Sequence, residues 1–310
     1  MKLFVAQSVT PEQLERLRSL PGISGCTLHP DPADDEPVPH EFLLADLCFG
    51  NPPASWVIDG LSLRWVQLIS VGFGEYLDCA LTLERQGIQV TNLSGFFRVP
   101  VAESILGGIL ALYRKLDVLA GLQQQKRWSG DELRESMNTL QGKSVVLVGR
   151  GAIHQQLEEY LGPFQCRIRK FGSDLDPEAL DEALALADVV VCTAPATPRT
   201  DRLFDEQRLS LLPSGSLFLN FGRSNIVDTD SLVSQLQQRR LAGAVLDVTD
   251  DEPLRPDDPL WELDNVLLTQ HTAGGMPAEV NRKIDLFAEN LERLRAKEPL
   301  LNLVNFEKGY

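Results

Sequence analysis

The stretch KSVVLVGRGAIHQQLEEYLGPF, Lys143 to Phe164, decides the fold. An apolar run, Val145 to Val148, leads into Gly149-Arg150-Gly151, and a helical pattern follows. A strand, a tight glycine turn and a helix N-terminus together present backbone N–H groups and a favourable dipole to a pyrophosphate. Gly149 permits the turn and Gly151 lets the backbone approach the phosphates, with Arg150, Ala152 and Ile153 completing the cradle. The third glycine of such a loop serves close helix–strand packing, and His154 stands in its place. This replacement is expected to distort or displace the helix without blocking a ligand. Pro163, after Leu161-Gly162, is expected to end the helix early. Taken alone, the pattern fits an ordinary strand–helix turn as well as a cofactor site.

Outward from this loop, short apolar runs alternate with helical patterns. KLFVAQ (2–7), EFLLADLCF (41–49), RWVQLISV (64–71) and IQVTNL (88–93) read as strands, and PEQLERLRSL (11–20) as a helix with Pro11 in its first turn. A long helix is expected from Pro100 to about Gln124, with Ile105, Ile109, Leu112, Leu116 and Leu119 on its apolar face. A second strand–helix series runs from Ser144 to about Thr272, and residues 277–300 read as an amphipathic helix. Such alternation implies parallel sheets covered by helices. The expected architecture is α/β with two domains. A Rossmann-type doubly wound sheet, residues 100–275, is inserted into a split domain, residues 1–99 and 276–310.

At 310 residues with 43% hydrophobic and 24% charged residues, the composition is that of a globular protein. A formal net charge of −15 argues against a nucleic-acid partner, which would need clustered positive charge. It also repels anions at long range, so a site for one must carry local cations. Five scattered cysteines without a CxxC pair suit free thiols in a reducing compartment. No run is long enough to span a membrane, and cytoplasmic residence is the expectation. No metal-ligand pattern stands out.

The chemistry lies farther on. SLFLNFGRSNIVDTDSL (216–232) has a strand ending at Asn220, then a turn carrying Arg223, then a helix begun near Asp228. GAVLDVTDDEPL (243–254) ends a strand at Asp247 with Glu252 just beyond, and NVLLTQHTAGG (265–275) delivers His271 to a loop. Each residue alone has an ordinary explanation: a surface arginine, an acidic loop residue, a structural histidine. Ligands of open α/β sheets bind outside the carboxyl ends of the strands, so all three are expected to share one pocket. At the end of FQCRIRK (164–170), Arg169 and Lys170 suit the 2′-phosphate of NADP, while Asp174 could serve an NAD ribose.

In this order the segments resemble the D-isomer-specific 2-hydroxyacid dehydrogenase family, especially its glyoxylate and hydroxypyruvate reductase branch. SVGFGEYLD (70–78), VAE (101–103), ATPRT (196–200), NFGRS (220–224), LDVTDDEPL (246–254), DDPLWELDNVLLTQH (257–271) and TAGG (272–275) carry the resemblance. It implies a split flavodoxin-like substrate domain and NAD(P)-dependent reduction of a small 2-oxo acid to the D-2-hydroxy acid. His271 would be the acid/base, Glu252 its orienting carboxylate, and Arg223 the group that binds the substrate carboxylate and polarises the carbonyl. The backbone at Val71, Gly72 and Phe73 would complete the carboxylate site. Asp247 would hold the nicotinamide carboxamide, Phe221 and Gly222 would line its ring, and Pro195 and Gly274 would belong to the cofactor site. A homodimer is also implied. Four positions depart from the family pattern: His154, the shortened helix after it, Gln270 where proline usually precedes the histidine, and Gly74 in the substrate loop. A non-catalytic dinucleotide sensor on the same fold, or a phosphoglycerate, D-lactate or phosphite dehydrogenase, are the alternatives.

Overall fold

The structure, a computed structural model, describes residues 1–307 and 309. The chain forms two compact units, Met1–Ser94 with Met276–Tyr310, and Gly95–Gly275.

The first unit is built on five parallel strands, β1 (Lys2–Ala6), β2 (Gly25–Leu28), β3 (Leu47–Gly50), β4 (Trp65–Gln67) and β5 (Gln89–Thr91), in the order β2-β1-β3-β4-β5. Four helices connect them: α1 (Pro11–Arg18), α2 (His40–Leu43), α3 (Ala54–Asp59) and α4 (Ala80–Gln86). Thr10 and Gln13 close a reciprocal capping box at the start of α1, with Pro11 in the first turn. The apolar run 41–49, expected to be one strand, is divided. Phe42 packs from α2, and β3 begins only at Leu47, after Asp46 accepts the Lys2 amide at 2.7 Å. Phe42 and Ala45 are as buried as Leu47, Cys48 and Phe49, so no change in hydrophobicity marks the break.

The second unit opens with α5 (Arg98–Arg114) and α6 (Leu116–Gln124), the long helix broken at Lys115, whose φ is +56°. Val101, Ile105, Ile109 and Leu112 of α5 are buried, whereas Leu116 and Leu119 of α6 are exposed. The expected single apolar face therefore stops at the break. Six parallel strands follow, β6 (Ser144–Val148), β7 (Arg167–Phe171), β8 (Val189–Cys192), β9 (Leu217–Asn220), β10 (Gly243–Leu246) and β11 (Val266–Leu268), in the order β11-β10-β9-β8-β6-β7. The helices α7 (Ala152–Leu161), α8 (Pro177–Leu184), α9 (Glu206–Leu211) and α10 (Thr229–Gln237) cover it. Val145 and Leu147 pack with Ile105, Ile109 and Leu157, while Val146 and Val148 pack with Leu180 and Leu184. Burial on both faces is why β6 and β8 read as continuous apolar runs. The order reverses between β7 and β8 on either side of β6, the switch point where open α/β sheets form ligand crevices.

The chain then returns to the first unit as α11 (Glu279–Ala296). Ile284, Phe287 and Leu291 lie against Leu3, Val5 and Phe49, and Phe287 stacks on Trp65 with centroids 4.7 Å apart. Among the described residues, no helix is long and apolar enough to cross a membrane.

Candidate active site

The glycine loop follows β6 at the switch point. Gly149 has φ of +112°, and a Cβ there would lie 2.8 Å from Thr193 Oγ1 and 3.1 Å from the Ala194 nitrogen. Only glycine fits such a conformation so close to a neighbouring backbone. A Cβ on Gly151 would instead meet nothing within 4 Å, so the space before the helix is open. No side chain caps α7, and the amides of Arg150, Gly151, Ala152 and Ile153 have no partner among the described residues. Unpaired amides at a helix N-terminus facing open space fit the phosphates of a dinucleotide.

His154 does not distort the helix as expected. It is 1% exposed inside an unbroken α7, which ends at Leu161 and passes into a 3-10 turn at Gly162–Phe164 around Pro163. Its Nδ1 hydrogen-bonds the Gly149 carbonyl, and Thr193 Oγ1 lies 3.1 Å from Nε2. A carbonyl can only accept, so Nδ1 carries the proton and Nε2 accepts from the hydroxyl. Burial lowers the imidazole to about 4, against the opposing pull of the Gly149 carbonyl and Glu158.

Arg169 and Lys170 do not stand at the end of β7. The Phe171 carbonyl accepts from Gly149 N–H at 2.8 Å, so the strand continues and alternation sends the two side chains to opposite faces. Arg169 donates to the Ala179 carbonyl and lies over Phe171, while Lys170 pairs with Glu158 at 2.8 Å. The groups at the strand end are Arg150, paired with Asp174 at 3.1 Å, and Arg199, donating to the Ser173 carbonyl at 2.9 Å. Arg199 sits in the ATPRT segment, but nothing local in the sequence connects it to residues 173 and 174.

The ends of β9, β10 and β11 carry the remaining groups. Buried Asn220 holds its own turn: its side chain donates to the Arg223 carbonyl and accepts from Gly222 N–H, both at 3.0 Å. A Cβ on Gly222 would lie 2.5 Å from the Ala194 carbonyl oxygen, so this turn must run against the loop after β8. Phe221 donates its amide to the Cys192 carbonyl, and Asp228 caps α10 by accepting from Ser231 N–H. Pro195 accepts from Thr200 Oγ1, and a Cβ on Gly274 would lie 3.0 Å from the Phe97 ring.

Asp247 organises the His271 loop. Its Oδ1 accepts from Thr269 Oγ1 at 2.5 Å and Ala273 N–H at 3.2 Å, and its carbonyl accepts from His271 N–H at 2.7 Å. His271 Nδ1 lies 2.6 Å from Glu252 Oε2, while Oε1 accepts from Thr249 N–H. Burial pushes the Glu252 carboxyl up, but the bonds from His271 and Thr249 and the charges of His271 and Arg223 outweigh it and lower it below the usual range. Asp247, Glu252, Trp261 and His271 line a cavity of about 400 Å³.

In the first unit, the carbonyls of Val71, Gly72 and Phe73 accept from Asn92, Ser70 and Tyr76 respectively. Their three amides have no partner among the described residues. Phe73 itself is core, set edge-on to Phe306 at 5.9 Å.

A family model for the D-isomer specific 2-hydroxyacid dehydrogenase NAD-binding domain matches residues 106–273. The chain belongs to that family. It is 32% identical over 266 residues to glyoxylate reductase of Thermofilum pendens, covering 79% of this chain and 76% of that one. It is 30% identical over 258 residues to a glyoxylate/hydroxypyruvate reductase of Arabidopsis thaliana, covering 81% of each. The D-isomer specific 2-hydroxyacid dehydrogenase of Xanthobacter autotrophicus, solved with NADPH and MES, superposes with a TM-score of 0.82 at 26% identity, over 100% of this chain and 99% of that one. Membership makes this chain an NAD(P)-dependent D-2-hydroxyacid dehydrogenase with a nicotinamide dinucleotide as cofactor.

The His154 imidazole is depressed in the folded state, so between about pH 6.5 and 4 the unfolded chain binds the extra proton and stability falls as pH falls. The loss amounts to about 3 kcal/mol over that window. Urea unfolding across it should show His154→Asn losing this component, and identical pH slopes in variant and wild type would contradict it.

Proposed function

We propose that the protein reduces a small 2-oxo acid of the glyoxylate or hydroxypyruvate kind to the D-2-hydroxy acid, using NADPH in preference to NADH. The observation that carries this reading is the 2.6 Å His271–Glu252 pair, near enough to Arg223 for its charge to act on Glu252, after strands of the same sheet whose β6 leads into a glycine loop with unpaired amides. The names of the Thermofilum and Arabidopsis relatives support the substrate class.

A reduced nicotinamide, when bound, supplies the hydride. The protein's own residues do the rest. Glu252 stays ionised and holds Nδ1, which turns Nε2 of His271 toward the substrate oxygen as proton donor, or as base in the reverse direction. Arg223 binds the carboxylate and offers a fixed positive charge where the oxygen becomes negative. In the first unit, the amides of Val71, Gly72 and Phe73, without partners among the described residues, are donors of the kind a carboxylate takes. Asp247 uses Oδ1 for the loop and keeps Oδ2 for the carboxamide.

The NADPH preference rests on Arg150 and Arg199 flanking Ser173 and Asp174, in place of Arg169 and Lys170. Asp174 is already paired with Arg150, which removes the free carboxylate that an NAD ribose would use. The NADPH complex of the Xanthobacter relative points the same way. A homodimer is proposed from Leu116, Leu119 and Trp128, the last 95% exposed, and cytoplasmic residence from the five free cysteines.

Arg223→Ala and His271→Ala should each lower kcat/KM for glyoxylate by about 100-fold or more with unchanged circular dichroism and melting. Near-normal turnover by either folded variant would refute the assignment. Arg150→Ala should raise the KM for NADPH about tenfold and leave that for NADH within about threefold. Equal effects on both cofactors would remove the 2′-phosphate from the explanation. Sedimentation velocity should give about twice the 34.4 kDa chain mass, and a monomer at micromolar concentration would rule the dimer out.

A further inference from the structure

In a glycine-rich dinucleotide loop the third glycine lets the helix approach the strand. Position 154 instead holds a buried imidazole between Gly149 of the turn and Thr193, the residue after β8. Position 154 therefore carries a specific link, and its consequence follows from peptide geometry. The C=O and N–H of a trans peptide point in opposite directions. Because the Gly149 carbonyl is drawn in to Nδ1, the N–H of Arg150 on the same peptide is turned the other way. That amide has no partner among the described residues. Thr193 Oγ1 sits on Nε2 and also at 2.8 Å from where a Gly149 Cβ would be, so the hydroxyl crowds the turn and orients the ring together.

We propose that His154 is a positioning residue of the dinucleotide site: as the neutral Nδ1–H tautomer, it locks the Gly149–Arg150 peptide so that the Arg150 amide is presented to the cofactor's pyrophosphate. The inference rests on the reading of this loop as the cofactor cradle. It gives the departure from the glycine pattern a use, since the clamp does by hydrogen bonding what close packing does elsewhere. Two charged groups also act on the ring, Glu158 and Lys170, and they are paired with each other at 2.8 Å. Burial keeps the ring neutral through the neutral range, so its one proton remains on Nδ1 and is donated to the Gly149 carbonyl.

The test uses the full chain, with NADPH and NADH binding followed by nucleotide fluorescence. His154→Ala should raise both Kd values about tenfold or more, because an oriented donor to phosphate is lost. His154→Asn, whose amide can still donate to the Gly149 carbonyl, should return both to within about threefold of wild type. At saturating cofactor the KM for glyoxylate should change less than about threefold in either variant, a split that general unfolding would not produce. Nitrogen-15 spectra of histidine-labelled wild type at pH 7 should show a buried ring protonated at Nδ1 and bare at Nε2, absent from the His154→Asn spectrum. If His154→Ala does not fold, Thr193→Val decides together with the spectrum, and a several-fold rise in Kd is expected. A folded His154→Ala with wild-type Kd, an unchanged Kd in Thr193→Val, or an Nε2–H tautomer would overturn the proposal. Wild type binding neither nucleotide would instead overturn the cradle reading itself.

Discussion

In the larger unit, Val145 and Leu147 are committed to one helical layer and Val146 and Val148 to the other, and β8 alternates in the same way with Val189, Val190, Val191 and Cys192. A parallel sheet covered on both faces has no free face on which to build a polar site. Polar groups are then confined to where the strands stop, because there the backbone turns out of the core and the hydrogen-bond ladder ends. Arg223, Asp247, Glu252 and His271 all follow strand ends, and the glycine loop follows β6. The apolar burial that holds the unit together is the same constraint that gathers its chemistry along one edge.

That edge is held at some backbone cost. Gln270 and His271 both have positive φ, at +53° and +55°, and they form the centre of a turn closed by Thr272 N–H on the Thr269 carbonyl. Left-handed backbone costs a non-glycine residue about 1 kcal/mol, and turns of this hand favour Asn and Gly. Asp247 offsets the cost with three bonds to residues 269, 271 and 273. Proline could not adopt the φ of Gln270. His271 is thereby oriented twice, through its own backbone by Asp247 and through its ring by Glu252.

Several features could be read before any coordinates because their causes are local. Strands β6 and β8 are apolar runs, Pro11 marks the first turn of α1, and Asp228 begins a helix where its type suggests. Other features had causes elsewhere in the chain. Strand β2 is a half-exposed edge with no apolar run, so Gly25–Leu28 carries no strong signal. The break at Lys115 uses a left-handed lysine where glycine or asparagine would have announced it. Arg169 and Lys170 read as a strand end because the pairing that extends β7 to Phe171 is with Gly149, twenty-two residues back. The role of His154 is not legible locally because its partner, Thr193, is 39 residues away. Asn220 ends β9, and its hold on the Arg223 turn through its side chain has no signature in residue type alone.

The net charge of −15 sets a last requirement. A dinucleotide and a 2-oxo acid are both anions, and a uniformly acidic surface would repel them. Screening limits that repulsion to about 8 Å at physiological ionic strength, whereas a guanidinium or an unpaired amide acts at hydrogen-bond distance. The strand ends of this unit concentrate such groups: Arg150, Arg199 and Arg223, with the amides of residues 150–153. Neighbouring acids are mostly engaged with a specific partner, Asp174 with Arg150, Asp247 with Thr269 and Ala273, Glu252 with His271 and Thr249. Asp174 is offset by the charge of Arg150, whereas Asp247 and Glu252 keep their charge and are held in a fixed direction by their donors. An acidic protein can therefore offer an anion-binding edge without changing its overall charge, provided guanidinium groups and unpaired amides stand there at contact distance.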